Sequence, residues 1–477
     1  MSRLWHPMAV EIWLSIVIVA LLCYHLAVPT RAKPRVGWIA LLGLLPVLPL
    51  CLWQPERSGA FLSGMYLLDP LARCFKAFFA LTAILIVVMT RDFERQLDQG
   101  VDELYLLILT ATFGMMTLAS VGDFLLLFVA LEIVTLSFYV MTAYLRRDVK
   151  SVEAGVKYLI LGSIATAFLL YGISFLYGYT GDTTFAALRV AVAEQPRLPP
   201  WLLLGFLLTL AGLSFKTAAV PFHVWVPDVY EGAPTPVTAF LSVGSKAAGF
   251  VVLLRILHGI FQPAHGLWMG LVAGLAGATI LYGNLVAIPQ SNIKRFLGYS
   301  SIGHAGYLLI GIAAASGLGA SAVTYYLLSY LFANLAVFLV VVTVFNATGS
   351  DEMRDYAGLS RRSPVLAATM FLALLSLAGV PPLAGFVGKL LLLLAAIHQG
   401  LFWLAVIGAA AVVISLYYYL LLVKTMFVDP PVQSTPIAVS RPARLGLYTC
   451  TAGILALGIY QEPFLNLAIA TARSLFH

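Results

Sequence analysis

The sequence predicts an all-α polytopic membrane protein. It has about fourteen transmembrane helices, with two inverted five-helix repeats and two broken helices. Three observations carry this reading. Of 477 residues, 61% are hydrophobic and only 10% are charged, whereas a soluble domain carries about 25% charged residues. Apolar runs recur along almost the whole chain at roughly the 20-residue length a helix needs to cross hydrocarbon. Prolines interrupt two of these runs at mid-membrane depth, and the interrupted runs are five spans apart.

The spans are expected near 8–27, 37–53, 73–90, 104–121, 123–144, 156–178, 200–225, 236–258, 267–288, 297–315, 320–345, 364–398, 402–427 and 446–468. The first is long enough to span and lacks the pattern of a cleaved signal peptide. The polar stretches 91–103 and 346–363 are short loops, so no soluble domain is predicted.

The net charge is +7, from 28 Lys+Arg against 21 Asp+Glu. Most of the basic residues lie between apolar runs, which fits the retention of Lys and Arg on the cytoplasmic side better than nucleic-acid binding. Odd-numbered connections hold Arg31, Lys33, Arg35, Arg91, Arg95, Arg146, Arg147, Lys150, Lys294, Arg295, Arg354, Arg361, Arg362, Arg441 and Arg444. Even-numbered ones hold mainly Arg57, Arg189 and Arg197. Odd connections therefore face the cytoplasm and both termini face the opposite side. The seventh connection breaks the pattern, with Asp228 and Glu231 but no Lys or Arg between Pro227 and Pro234.

The seventh span reads GLSFKTAAVPFHVWVPDVYEGAPTP, with Pro221 and Pro227 inside it or at its end. The twelfth reads LSLAGVPPLAGFVGKLLLLL, with Pro381 and Pro382 mid-membrane. Proline removes a backbone donor, and lipid cannot satisfy the freed carbonyls, so such breaks persist only inside protein or beside water. An odd offset puts equivalent helices in opposite orientation. That predicts an inverted repeat of spans 4–8 against 9–13. The alternative is two unrelated kinks. The expected division is residues 1–99 for the first three spans, 100–260 and 261–430 for the repeats, and 431–477 for the last helix.

A charge at mid-bilayer costs at least ~2.5 kcal/mol, so each one needs a reason. Glu132 lies mid-span, nine residues after Asp123, with no Lys or Arg within a helical turn. Lys216 lies five residues before Pro221. Low-dielectric surroundings disfavour the charged form of a buried base, and a nearby carboxylate favours it. A Glu–Lys pair of changing separation is thus a protonation switch, and Glu132 is the candidate partner of Lys216. Lys246 is surrounded by Ser242, Gly244, Ser245, Ala247, Ala248 and Gly249, small residues that leave room for close packing and water. Lys389 follows the second break by about two turns. His304 shares a helix face with Ser300 and Tyr307, and imidazole exchanges protons near neutral pH.

Other charges read more simply. Lys157, four residues after Glu153, reads by itself as a surface pair. His223, beside Pro221, reads as gating or structural. Arg255, Lys76 and Lys424 sit towards span ends and read as snorkelling. Glu132, Lys216, Lys246, His304 and Lys389 come from five separate helices. A lateral proton wire needs that; a single structural salt bridge does not. Cys23, Cys51, Cys74 and Cys450 are isolated and form no Cys-x-x-Cys pair, which argues against zinc or iron–sulfur sites. With no GxGxxG, Walker loop or His pair suited to haem, no cofactor or metal is expected in this chain.

At these residues the chain resembles the antiporter-like subunits of complex I, the proton-pumping NADH:quinone oxidoreductase. The strongest match is VPFHVWVPDVYEGAPTPVTAFLSVGSKAAGF, followed in order by GNLVAIPQSNIKRFLGYSSIGHAGYLLIG and AGVPPLAGFVGK. The resemblance covers about residues 100–430, and the first three spans match only in type. It implies that Glu132 and Lys216 form the first half-channel pair, Lys246 the central relay and Lys389 the end of the second half-channel. It also adds Lys157 and His304 to the proton relay. It implies redox energy supplied by other subunits and a bacterial inner-membrane location, where the charge pattern puts both termini on the periplasmic side. The implied partners are other membrane subunits of the complex, especially neighbouring antiporter-like ones, with lipid, protons and water but no nucleic acid. The competing readings are a subunit of a Na⁺/H⁺ antiporter complex and a non-pumping scaffold whose buried charges only join helices.

Overall fold

The computed structural model describes residues 7–28, 36–53, 59–97, 100–195, 198–433 and 435–476. Arg31, Lys33, Arg35, Arg57 and Arg197, used above for orientation, lie outside the described residues. The chain is an all-α membrane protein. Twelve described helices are long and apolar enough to cross a membrane: Ala9–Ala27, Pro70–Gln96, Val101–Ala119, Phe124–Thr142, Val149–Thr180, Pro200–Thr217, Thr235–Ile260, Gln262–Ala287, Ile293–Ala313, Gly317–Thr348, Phe402–Phe427 and Arg441–Ile459. Where the sequence predicts the second and twelfth spans, pairs of shorter helices stand instead. These are Val36–Leu44 with Val47–Trp53, and Pro364–Ala378 with Ala384–His398. A small antiparallel hairpin, Gly59–Phe61 with Tyr66–Leu68, was not expected.

Polar residues set the helix ends. Asp69 accepts from Ala72 N–H, Asp123 from Leu125 and Leu126 N–H, and Asn292 from Arg295 N–H. Each satisfies orphan donors at a helix start. Gly181 and Gly349 close helices in the left-handed region that favours glycine.

Burial grades sharply across the bundle. In Thr235–Ile260 and Ile293–Ala313 every residue of the apolar window is buried, and 89% in Gly317–Thr348, against 33% in Phe402–Phe427 and 28% in Ala9–Ala27. The first three form the core. The outer helices present side chains such as Val129, Leu136, Ile160 and Val413 outward, as a lipid-facing surface requires. Gly283 and Gly303 let two helices meet backbone to backbone, because a Cβ on Gly283 would lie 2.3 Å from Gly303 N.

Both predicted breaks occur, with one adjustment. The seventh span stops at Thr217, passes through Ala218 at φ +62°, and resumes as Trp225–Gly232. Pro221 lies in the gap. Pro227 lies in the first turn of the resumed helix, where its missing N–H is no loss. The twelfth span stops at Ala378, turns at Gly379 with φ +90°, and resumes at Ala384, leaving Pro381 and Pro382 in the gap.

Two snorkelling assignments are corrected. Lys76 is fully buried, with Nζ 2.7 Å from Glu11 Oε1 and 2.5 Å from the Tyr66 hydroxyl. Arg255 is buried and donates from two nitrogens to Asp69 at 3.0 Å each, and from Nε to Ala119 O at 2.9 Å. Position along a helix suggested a route to water, but neighbouring helices cover both residues. The Glu11–Lys76 pair ties Ala9–Ala27 to Pro70–Phe93. Removing one partner of a buried pair costs about 3–5 kcal/mol. Glu11→Ala is therefore expected to lower the melting temperature of the detergent-solubilised protein, and Glu11→Ala with Lys76→Met to restore most of it. Equal melting of the single variant and the native protein would refute the clamp.

Candidate functional site

The first group of the row lies where the broken seventh span meets Phe124–Thr142. Lys216, in the last turn before the break, is buried and donates to Thr135 Oγ1 at 2.7 Å. Glu132, one turn earlier than Thr135, accepts from Thr166 Oγ1 at 3.1 Å. The field of Glu132 reaches Lys216. The expected pair thus exists at electrostatic range, with Thr135 taking the direct contact. Beside them lies a cavity of about 10 Å³ lined by Thr135, Lys216, Ser245 and Gly249. That is about the least space that holds one water, and it reaches from Lys216 to the residue next to Lys246.

Lys246 sits in the fully buried Thr235–Ile260 helix, directly after a π-helical stretch, Leu241–Ser245. Its Nζ donates to Ser301 O at 2.7 Å and also contacts Ser301 Oγ. Ser301 belongs to Ile293–Ala313, so this lysine links two fully buried helices.

His304 is one turn beyond Ser300 on that same helix. Its Nδ1 lies 2.6 Å from the Tyr326 hydroxyl and its Nε2 3.1 Å from that of Tyr419, which also contacts Ser300 Oγ. The fields of both Lys246 and Lys389 reach this imidazole. The expected face with Ser300 is therefore present, joined through Tyr419. The Tyr307 hydroxyl instead donates to Gly408 O at 2.6 Å, while its ring faces Lys389 at 4.7 Å. Lys389 reaches back across the second break and donates to Ala378 O at 2.9 Å. Lys216 precedes its break and Lys389 follows its own, as the sequence indicated.

Lys157 lies outside this buried row. Its Nζ is 2.6 Å from both Glu153 and Asp228, with the side chain 41% exposed. It belongs to a network in which Arg295 joins Asp228 and Glu231 at 2.7 and 3.2 Å, and Lys150 joins Glu231 at 2.8 Å. This explains the exceptional seventh connection. Its acids pair with basic residues of the fifth and ninth connections and of the helix between, so its lack of Lys and Arg is made up by its neighbours. Burial opposes the charge on Asp228, but the Lys157 and Arg295 partners outweigh it and hold its carboxyl below the usual range.

His223 is buried in the first break against the ring of Tyr282, 4.3 Å between centroids. Among the described residues, His25, Asp102 and Glu103 are the one group whose ligand atoms converge as a metal site needs, within 4.8 Å. They lie on Ala9–Ala27 and Val101–Ala119, helices that carry none of the relay candidates.

Sequence reasoning missed the hydroxyl residues between the charges. Tyr139 feels the field of Glu132 and packs on Tyr158 with 5.1 Å between ring centroids, and Tyr158 interacts with Ser245. Tyr230, Tyr330, Tyr326 and Tyr419 continue the series. A tyrosine inside an apolar helix carries no warning of this kind, because its ring alone justifies burial.

Comparison with known proteins places these residues in context. A family described as NADH:quinone oxidoreductase/Mrp antiporter, TM matches residues 121–415, a stretch that contains all six relay candidates. NADH-quinone oxidoreductase subunit N of Moorella thermoacetica is 44% identical over 472 residues, covering 99% of each chain. A chain of respiratory complex I from Thermus thermophilus superposes with a TM-score of 0.82 at 35% identity, over 96% of this chain and 99% of that one. A chain of the membrane-bound sulfane sulfur reductase, an archaeal respiratory membrane complex, superposes with a TM-score of 0.89 at 25% identity, over 99% and 98%.

Proposed function

This chain belongs to the NADH:quinone oxidoreductase/Mrp antiporter membrane family, and from that premise we propose that it carries protons through its interior on Glu132, Lys216, Lys246, His304 and Lys389, with Lys157 at the cytoplasmic edge. It is a multi-pass membrane subunit of a bacterial respiratory NADH:quinone oxidoreductase, and other membrane subunits of that complex are its partners. The relay assignment rests on one observation above all. Four helices bring Lys216, Lys246, His304 and Lys389 into a buried row, a fifth sets the half-buried Glu132 at its end, and hydroxyl side chains contact these groups.

Acid–base hopping is the chemistry such a row supports. A proton held by Lys216 has a water-sized cavity and Ser245 on its way to Lys246. A proton on Lys246 has Ser301, and His304 has two tyrosine hydroxyls. The two helix breaks give the row places to change shape, since a broken helix can shift one half against the other. NADH oxidation and quinone reduction belong to other subunits in this reading, and this chain is expected to hold no redox centre.

The orientation rests on the same side chains. The network of Lys150, Lys157, Arg295, Asp228 and Glu231 gathers odd connections at one face, which the charge rule assigns to the cytoplasm. Both termini are then periplasmic. The odd offset of the breaks supports two inverted repeats, residues 100–260 and 261–430.

The reading is tested on the native complex reconstituted in vesicles. NADH with a quinone is expected to drive proton movement without added Na⁺. Movement that required Na⁺ and ignored NADH would favour the antiporter reading. An unchanged proton signal in vesicles that oxidise NADH would favour the scaffold.

A further inference from the structure

Ser301 is the point where the two halves of the row meet. Its oxygen takes three neighbours: Lys246 Nζ, the Tyr330 hydroxyl at 3.0 Å and the Tyr230 hydroxyl at 3.2 Å. Tyr230 comes from Trp225–Gly232, the helix resumed after the first break, and Tyr330 from Gly317–Thr348 in the second half. All four side chains are at most 3% exposed. Tyr330 also packs on His304 with 5.2 Å between ring centroids.

A serine hydroxyl has two acceptor sites and one hydrogen. Three neighbours saturate it, so its hydrogen can point to one of them at a time. The charge of Lys246 decides which. As an ammonium, Lys246 donates to Ser301, and the serine hydrogen must turn to a tyrosine oxygen. As a neutral amine, Lys246 offers a lone pair and the serine hydrogen turns back to it.

Resting on the relay reading above, we propose that Ser301 is the junction through which Lys246 exchanges its proton, with the hydroxyls of Tyr230 and Tyr330 as the two branches. On release, an N–H bond of Lys246 breaks as an O–H bond forms on Ser301. The original serine hydrogen passes to a tyrosine oxygen, and that tyrosine passes its own hydrogen to a water molecule. Each hydroxyl gains one hydrogen and loses one, and a single positive charge moves from lysine to water. Uptake is the reverse. Such hopping needs only short, saturated hydroxyl contacts, and a buried network of this kind has few alternative routes.

The geometry provides a clean separation of roles. Lys246 is also held by the backbone carbonyl of Ser301, at 2.7 Å, and that bond survives any substitution of the side chain. Ser301→Ala therefore keeps Lys246 in place and removes the junction. The native complex carrying each variant is reconstituted in vesicles, and proton pumping is measured per NADH oxidised. Ser301→Ala is expected to lose as large a factor as Lys246→Ala, on the order of the 10²-fold that one positioned acid–base group contributes. Ser301→Thr, which restores a hydroxyl, is expected to pump close to native.

If Ser301→Ala does not assemble, Tyr230→Phe combined with Tyr330→Phe removes both branches with ring packing intact and is expected to show the same loss. Native pumping by Ser301→Ala, or by the double tyrosine variant, alongside loss in Lys246→Ala overturns the junction and leaves the relay standing. Equal loss in Ser301→Ala and Ser301→Thr also overturns it, because a structural defect would ignore the hydroxyl. Native pumping by Lys246→Ala overturns the relay reading itself.

Discussion

Replacing Lys216 by alanine is expected to leave an assembled complex that oxidises NADH but pumps roughly 10²-fold less, the lower end of what a positioned acid–base group contributes. The lysine is buried, its ammonium donates to Thr135, and its electrostatic partner is Glu132. Alanine removes the titratable group that lines the water-sized cavity beside Ser245. A loss on its own would not separate a proton carrier from a structural cation. Lys216→Arg does. Arginine keeps the positive charge and its attraction to Glu132, but a guanidinium does not release its proton at accessible pH. If Lys216 carries protons, the arginine variant assembles and stays inactive. If the charge alone matters, arginine rescues pumping, and the relay fails at its first lysine. The readout is proton movement per NADH oxidised in vesicles, with assembly checked on the purified complex.

The parts of this molecule that were legible in the sequence are those where lipid imposes a rule on single residues. Span length follows from bilayer thickness, so the expected crossings fall on long helices or on pairs of short ones, except that the last, 446–468, runs across the end of Arg441–Ile459 into Glu462–Arg473. A charge within an apolar run is expensive, so Glu132, Lys216, Lys246 and Lys389 identified themselves. The breaks followed from Pro221 and from Pro381 with Pro382, while Pro227 misled slightly because proline is also welcome in a first helical turn.

What stayed hidden depends on neighbours brought from far along the chain. Lys76 and Arg255 looked like residues reaching for water, yet Glu11 and Asp69 meet them inside the protein. The acids of the seventh connection looked anomalous until Lys150, Lys157 and Arg295 were found beside them. Glu132 was legible as the candidate partner of Lys216, but Thr135, which takes the direct contact, was not. Ser301 was the least visible of all. Serine is ordinary in a membrane helix, and nothing local distinguishes it from Ser300.

Lys389 combines two roles that its substitutions separate. The half-helix before the second break ends at Ala378, and the carbonyls of a helix end have no partner of their own. They carry the negative end of the helix dipole, and lipid offers them nothing. Lys389 supplies both a donor and a charge, at 2.9 Å from Ala378 O. Lys389→Ala is thus expected to destabilise the subunit by about 1–3 kcal/mol, the cost of a buried acceptor left unsatisfied, and to stop pumping as well. Lys389→Arg is expected to cap the same carbonyl and melt close to native, yet remain unable to release a proton and so unable to pump. Stability and transport then part company in a single pair of variants. An arginine variant that pumped normally would make Lys389 a helix cap and nothing more. An alanine variant that pumped normally would take it out of the row altogether, and the second break would then need no titratable group to explain its place in the membrane.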